Sequence, residues 1–230
     1  MPSLKMTWEM SVKSMVPYSA EAFFELLASY NSAIWPGHLT ALFLSVLLLG
    51  LLLFPRPGGD QIITGFLACG WAWTGFVFLM NHLVTLNWAG TYFGTVFVVQ
   101  AGLLLWSGTT QDRLHFRGDK SAASWLGLVL IVLALIIYPL TPIWVGADWT
   151  IVQVAGLTPT PTVILTFGIL LLCAERLPIH LFVIPVVWSS ADGATAWTLG
   201  IWWDLFLPIA GLTTVFFSIT RPRYDSKPSA

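Results

Sequence analysis

The sequence predicts an all-α polytopic transmembrane helical bundle of seven spans, and three observations carry that expectation. Of the 230 residues, 57% are hydrophobic and 9% charged, and mean hydropathy is +0.80. Such a chain has too little polar surface to clothe a water-soluble globule. Charge-free stretches recur at the length needed to cross hydrocarbon about 30 Å thick, roughly 20 helical residues at ~1.5 Å each. Finally, eight of the ten Lys and Arg fall on one side of the resulting division, as cytoplasmic loops require.

Residues 1–18 are expected as an N-terminal extracytoplasmic tail. Ser19 then opens a helix over 19–34 in which Phe23, Leu26, Leu27, Tyr30 and Ile34 recur at three- and four-residue steps, while Glu21, Glu25 and Ser29 face elsewhere. That pattern fits an amphipathic interfacial helix on the outer leaflet and equally a helix packed over the bundle mouth. Span one, Trp35–Phe54, ends at Pro55-Arg56-Pro57-Gly58-Gly59, which cannot continue a helix. No Asp, Glu, Lys or Arg occurs from Gln61 to Gln111, and 51 residues are too many for one span. Asn81, His82 and Asn87 mark a turn that divides the stretch into Ile62–Met80 and Trp88–Trp106.

Span four is Ala122–Tyr138, closed by Pro139 and Pro142. Span five, Thr162–Ala174, is short and follows Thr158-Pro159-Thr160-Pro161-Thr162. Those prolines predict a non-helical Thr158–Thr162, buried by protein or facing an aqueous vestibule, because lipid cannot satisfy free backbone groups. Span six runs from Pro178 to about Trp197 and span seven from Trp202 to Thr220. Residues 35–220 are thus one domain, and 221–230 a cytoplasmic tail.

Arg56, then Arg113, Arg117 and Lys120, then Arg176, then Arg221, Arg223 and Lys227 all follow odd-numbered spans. Only Lys5 and Lys13 lie on the other face, so the N-terminus is expected outside and the C-terminus in the cytoplasm. Trp35, Trp88, Trp144, Trp149, Trp197, Trp202 and Trp203 crowd the outer boundary. No cleavable signal peptide is expected, since 34 mixed residues precede the first apolar run without a small-residue cleavage site.

A formal net charge of -1 offers no basic field for nucleic acid. CxxC, HExxH, P-loop and GxSxG signatures are absent from the sequence. Cys69 and Cys173 fall in the cytoplasmic half and read as small packing residues. The spacing of Gly90 and Gly94 permits close helix approach within the chain. No cofactor and no metal ligand set is expected.

Intramembrane polar residues are costly and tend to face the bundle interior. Counting ~1.5 Å per residue from the cytoplasmic ends, His38 lies roughly 24 Å up span one, Asp192 about 21 Å up span six and Asp204 about 24 Å up span seven. These three are expected to line one outward-facing pocket, with His82 and Asn87 at its mouth and Gln100 at its floor. Such a pocket binds a small polar solute or cation, or relays a proton. Bland readings compete with it. Asp204 in a first helical turn is stabilised by the dipole, Asp192-Gly193 ends span six early, and His38 snorkels to the headgroups.

Several stretches together resemble a bacterial family of multi-pass membrane proteins, domain of unknown function 6064. They are Tyr30-Asn31-Ser-Ala-Ile-Trp35-Pro36, Trp71-Ala-Trp73 through Asn87 to Phe93-Gly94 and Gln100, Tyr138-Pro139, Gly156 through Thr162 with Thr166-Phe167-Gly168, and Pro185-Val-Val-Trp188. The likeness covers about Tyr18 to Gly211. It implies a polytopic protein of the bacterial inner membrane and supplies no activity. The chain departs from the family pattern at Thr160, usually Cys, and at Ala147, often His.

Three function classes follow: a transporter or binding protein for a small solute, cation or proton; an accessory or structural subunit docked to a membrane-protein partner; and a membrane-embedded enzyme, for which only His38, His82, Asp192 and Asp204 are available. The first is favoured by the outer polar layer and the proline-rich break, since broken helices often line substrate sites.

Overall fold

The computed structural model describes residues 16–144, 146–173 and 178–220. Residues 1–15 of the expected N-terminal tail and the whole expected tail 221–230, and with them Lys5, Lys13 and the last three basic residues, lie outside the described residues, as do Ala174 and Arg176. Eight longer helices occur among the described residues: α1 (Ala20–Ala33), α2 (Gly37–Leu53), α3 (Gly59–Thr85), α4 (Gly90–Thr110), α5 (Ala122–Trp144), α6 (Pro159–Leu171), α7 (His180–Leu199) and α8 (Trp202–Thr220). No strand occurs among the described residues, and a single antiparallel bridge joins Phe116 to Cys173.

A helix stands over each of the seven stretches expected to span. By length and composition four of them are each apolar enough to cross a membrane, namely α3, α4, α5 and α8. A fifth qualifies if α1 and α2 count as one bent span, but their axes turn by 83° at the Trp35–Pro36 break. At 13 residues, α6 is shorter than a bilayer crossing. The Ser, Thr and Asp content of α7 leaves it less apolar than those four.

Ser19 caps α1, its Oγ accepting the Ala22 N–H at 3.3 Å. The buried face of α1, with Leu26, Leu27, Tyr30 and Asn31, is turned to the protein. Tyr30 meets Phe78 edge-on at 5.0 Å. Its hydroxyl donates to the Leu157 carbonyl at 2.7 Å and accepts the Trp73 indole N–H at 3.0 Å.

Helix boundaries differ from expectation. Pro139 and Pro142 do not close α5, which continues through a 3-10 turn at Tyr138–Leu140 to Trp144. Asn81 and His82 do not end α3, which widens into a π-helical stretch over Thr74–His82 and closes with a 3-10 turn to Thr85. Their side chains bond back to the Phe76 and Val77 carbonyls at 2.8 Å each, so polar residues that look like a turn serve the helix itself. Likewise α4 continues past Trp106 to Thr110. The Gly90–Gly94 spacing does bring α4 onto α3, because a Cβ on Gly94 would stand 2.6 Å from the Gly75 carbonyl oxygen.

A further difference concerns span five. Thr158–Thr162 is not an unwound segment; Thr158 caps a helix that starts at Pro159. First-turn N–H groups have no intrahelical acceptor, so Pro159 and Pro161 cost no hydrogen bond there. What they exclude is extension towards Val152, and the segment from Val152 to Thr158 is indeed non-helical. Thr158, Thr160 and Thr162 are buried, as expected.

All 13 residues of α6 are buried, which its near-uniform apolarity permits. It forms the axis of the core, with α3, α5, α7 and α8 around it. Polar side chains stitch it in place. The Trp71 indole donates to Thr166 Oγ1 at 2.8 Å, and the Thr162 hydroxyl accepts the Gly156 N–H at 2.7 Å. Cys173 is buried, whereas Cys69 faces outward rather than serving the core.

A carboxylate-lined cavity at one end of the bundle

Connections that carry no Lys or Arg gather at one end of the bundle. The α3–α4 turn brings Asn87, the segment before α6 brings Gln153, and the α7–α8 turn brings Ile201. Between them lies a cavity of about 170 Å³ whose lining also includes Tyr18, Thr160, Asp192 and Asp204.

Three features of the sequence place the carboxylates there. Gly200, at φ 73°, ends α7 in the left-handed conformation that glycine tolerates. The chain therefore reverses within two residues, and Asp204 follows in the first turn of α8. Gly193 lets α8 close onto α7 just below, since a Cβ there would sit 2.7 Å from the Pro208 ring. Asp192 and Asp204 consequently open into one space.

Their surroundings differ. Asp192 is half-buried, and its Oδ2 accepts the Thr160 hydroxyl at 3.0 Å, at the N-terminus of α6 where a carboxylate is favoured by the dipole. Asp204 is 5% exposed, and its Oδ1 is buried without a hydrogen-bond partner. Trp188, another lining residue, likewise has its indole N–H buried without a partner. Tyr18, outside the expected spans, has its hydroxyl pushed up to about 12, by burial first and by the Asp192 carboxylate second. It therefore stays a neutral hydrogen-bond donor at any physiological pH. Asn87 spends its Oδ1 on the Ala89 N–H at 3.0 Å, and so holds the turn that presents it.

The cavity brings together Asn87, Asp192 and Asp204 of the residues expected to form the pocket; His38, His82 and Gln100 stand elsewhere. Depth alone suggests that His38 joins the aspartates. Instead its Nε2 donates to Asn31 Oδ1 at 3.1 Å, the tautomer that follows because Asn31 Nδ2 donates to the Thr150 and Val152 carbonyls at 2.7 and 2.8 Å. The 83° bend between α1 and α2 makes this possible. His82 Nδ1 donates to the Val77 carbonyl, and the ring lies edge-on to Tyr30 at 4.9 Å, beside a separate open cleft with Glu25 and Ser29.

Gln100 is fully buried, and its Nε2 donates to the Leu181 carbonyl at 3.1 Å. Pro185 lies four residues beyond Leu181 inside α7 and has no N–H to offer that carbonyl. Gln100 thus satisfies a group that proline sets free and is not part of the cavity lining.

The Asn31 knot has a measurable consequence. Asn31→Ala leaves the part-buried Thr150 and Val152 carbonyls and the buried His38 N–H without this partner, and is expected to cost on the order of 2 kcal/mol. Thermal unfolding of purified protein should show the loss.

Sequence reasoning missed Tyr18, Gln153 and Trp188, which come from irregular segments or a face with no periodic signal. Thr160 carried one clue: it is where the chain departs from the pattern it resembles. No curated protein and no solved structure matches the chain. The order of motifs from Tyr30 to Trp188 is explained by the match of residues 20–227 to a single family, and the chain belongs to that family of unknown function, DUF6064.

Proposed function

We propose that this is a multi-pass protein of the bacterial inner membrane whose carboxylate-lined cavity opens outward and binds a small cation or a proton-bearing solute, as a binding protein or transporter. The observation that carries the reading is the pairing of Asp192 and Asp204 in one cavity whose lining, among the described residues, includes no Lys, Arg or His. Carboxylates at membrane depth cost roughly 2.5–3.5 kcal/mol each on insertion scales and persist where paired or hydrated. Two of them without a cationic partner select positive charge.

Seven crossings, with the N-terminus outside, fit the same picture. The connections between helices at the cavity end carry no Lys or Arg, Lys5 and Lys13 lying in the tail that precedes α1, while Arg56, Arg113, Arg117 and Lys120 lie in the connections at the opposite end. In this reading α6 spans only part of the bilayer, enclosed by other helices, so its short length exposes no backbone to lipid.

Two measurements test the proposal. A C-terminal reporter active only in the cytoplasm is expected to be active; activity of a periplasm-only reporter overturns the orientation. In nanodiscs, at least one of sodium, potassium, ammonium or small organic ammonium chlorides is expected to raise the unfolding temperature of the wild type by mass action. Asp192→Asn with Asp204→Asn should abolish that shift without lowering membrane insertion. Equal responses in wild type and double variant would favour the accessory-subunit reading.

A further inference from the structure

We propose that the ligand of this cavity is a compact organic ammonium ion carrying a hydrogen-bond-accepting oxygen, such as a protonated amino alcohol or its quaternary form. The inference rests on the cation reading above and narrows it by the chemistry of the walls. Besides the aspartates, the lining includes five aromatic side chains: Tyr18, Phe23, Phe78, Phe93 and Trp188. Aromatic faces attract ammonium groups and accept the apolar carbons attached to them, and such cages recognise quaternary ammonium. A bare inorganic cation needs a different shell. Calcium takes six to eight oxygens, and among the described residues no three His, Cys, Asp or Glu side chains converge to hold a metal ion. Here the Asn87 oxygen already accepts a backbone N–H.

Two unpartnered buried atoms describe the rest of the ligand. Asp204 Oδ1 lacks a donor, and the Trp188 indole N–H lacks an acceptor. A ligand that completes both presents a cationic group to Asp204 and an oxygen to Trp188. The volume limits its size: the cavity measures about 170 Å³, and a cavity of about 150 Å³ accommodates benzene. A molecule of roughly six to eight heavy atoms follows from that comparison. The same chemistry exists in phospholipid headgroups, but their phosphate would face two carboxylates with no basic side chain in the lining, so the structure favours the free ion.

The test uses the full chain in phosphatidylglycerol nanodiscs, whose lipid carries no amine, with thermal unfolding read against choline, 2-aminoethanol, propylamine, sodium and potassium chlorides at neutral pH. Choline or 2-aminoethanol is expected to stabilise the protein at concentrations at least tenfold lower than sodium or potassium, and Asp204→Asn to remove the effect. Trp188→Phe keeps a ring in the wall but deletes the N–H. It should erase the preference for 2-aminoethanol over propylamine while leaving propylamine itself effective, a change in ratio that a general loss of stability does not produce. If sodium or potassium alone stabilises the protein through the carboxylates, the organic-ammonium proposal is overturned and the cation reading stands. If no cation acts, both fall. Stabilisation by added phosphatidylethanolamine with none by the free amines also overturns the proposal, in favour of a lipid headgroup.

Discussion

Gly168→Leu is expected to leave almost no folded protein. A Cβ at this position would stand 2.8 Å from the Gly127 carbonyl oxygen, 2.9 Å from Ile131 Cγ1 and 3.0 Å from the Ile131 nitrogen. The reciprocal Cβ on Gly127 would be 2.7 Å from the Gly168 oxygen. Where the obstacle is backbone on both helices, no rotamer change clears it, and α5 must move away from α6. Movement of α6 is blocked as well, because all 13 of its residues are buried and Thr166 holds the Trp71 indole on another side. Overpacking typically costs about 1–3 kcal/mol and occasionally more; a leucine wedged between two backbones belongs at or beyond the upper end. Gly102, exposed on α4 with no atom within 4 Å of its Cβ direction, is the control. Gly102→Ala should be neutral or stabilise by up to about 1 kcal/mol through helix propensity. Yield of monodisperse protein and unfolding temperature read both substitutions, and a Gly168→Leu protein as stable as Gly102→Ala would contradict the close α5–α6 crossing.

The helices were legible because each requires an apolar run and the runs here are separated by proline, glycine or polar residues. The same punctuation misled where it has two meanings. Pro159 and Pro161 read as a break, yet proline in a first helical turn displaces no hydrogen bond. Asn81 and His82 read as a turn, yet both return their side chains to carbonyls of their own helix. The candidate site was legible to the extent that depth and connectivity decide it: Asp192 and Asp204 stand on consecutive helices joined by a short turn, and both line the cavity. Depth says nothing about azimuth. His38 is expected at the same height but points to Asn31, and that direction depends on a bend between α1 and α2 that no periodicity encodes. Tyr18 and Gln153 reach the cavity from segments without regular structure, where the sequence carries no face to read.

Gln100 illustrates the same limit and yields the second large effect, in a double-mutant cycle with Pro185. Gln100→Leu removes the donor that satisfies the Leu181 carbonyl, and an orphaned buried acceptor costs about 1–3 kcal/mol. Part of this is offset, because Gln100 Oε1 is itself buried without a partner and disappears in the same substitution. A net loss of about 1–2 kcal/mol follows from those two opposing amounts. Pro185→Ala changes the reference. The substituted alanine supplies the missing N–H to Leu181 through an ordinary helical bond, and the change removes a residue type that costs about 3 kcal/mol in a helix interior. In that background Gln100→Leu should become neutral or stabilising, giving a coupling of about 1–2 kcal/mol, within the range measured for residues in direct contact. Equal losses in both backgrounds would separate Gln100 from the proline-freed carbonyl. The cycle also distinguishes this role from the one expected of a pocket floor. A residue that only holds α4 against α7 changes unfolding temperature and leaves the cation response proposed for Asp192 and Asp204 unaltered. A floor residue shifts that response whichever residue occupies position 185.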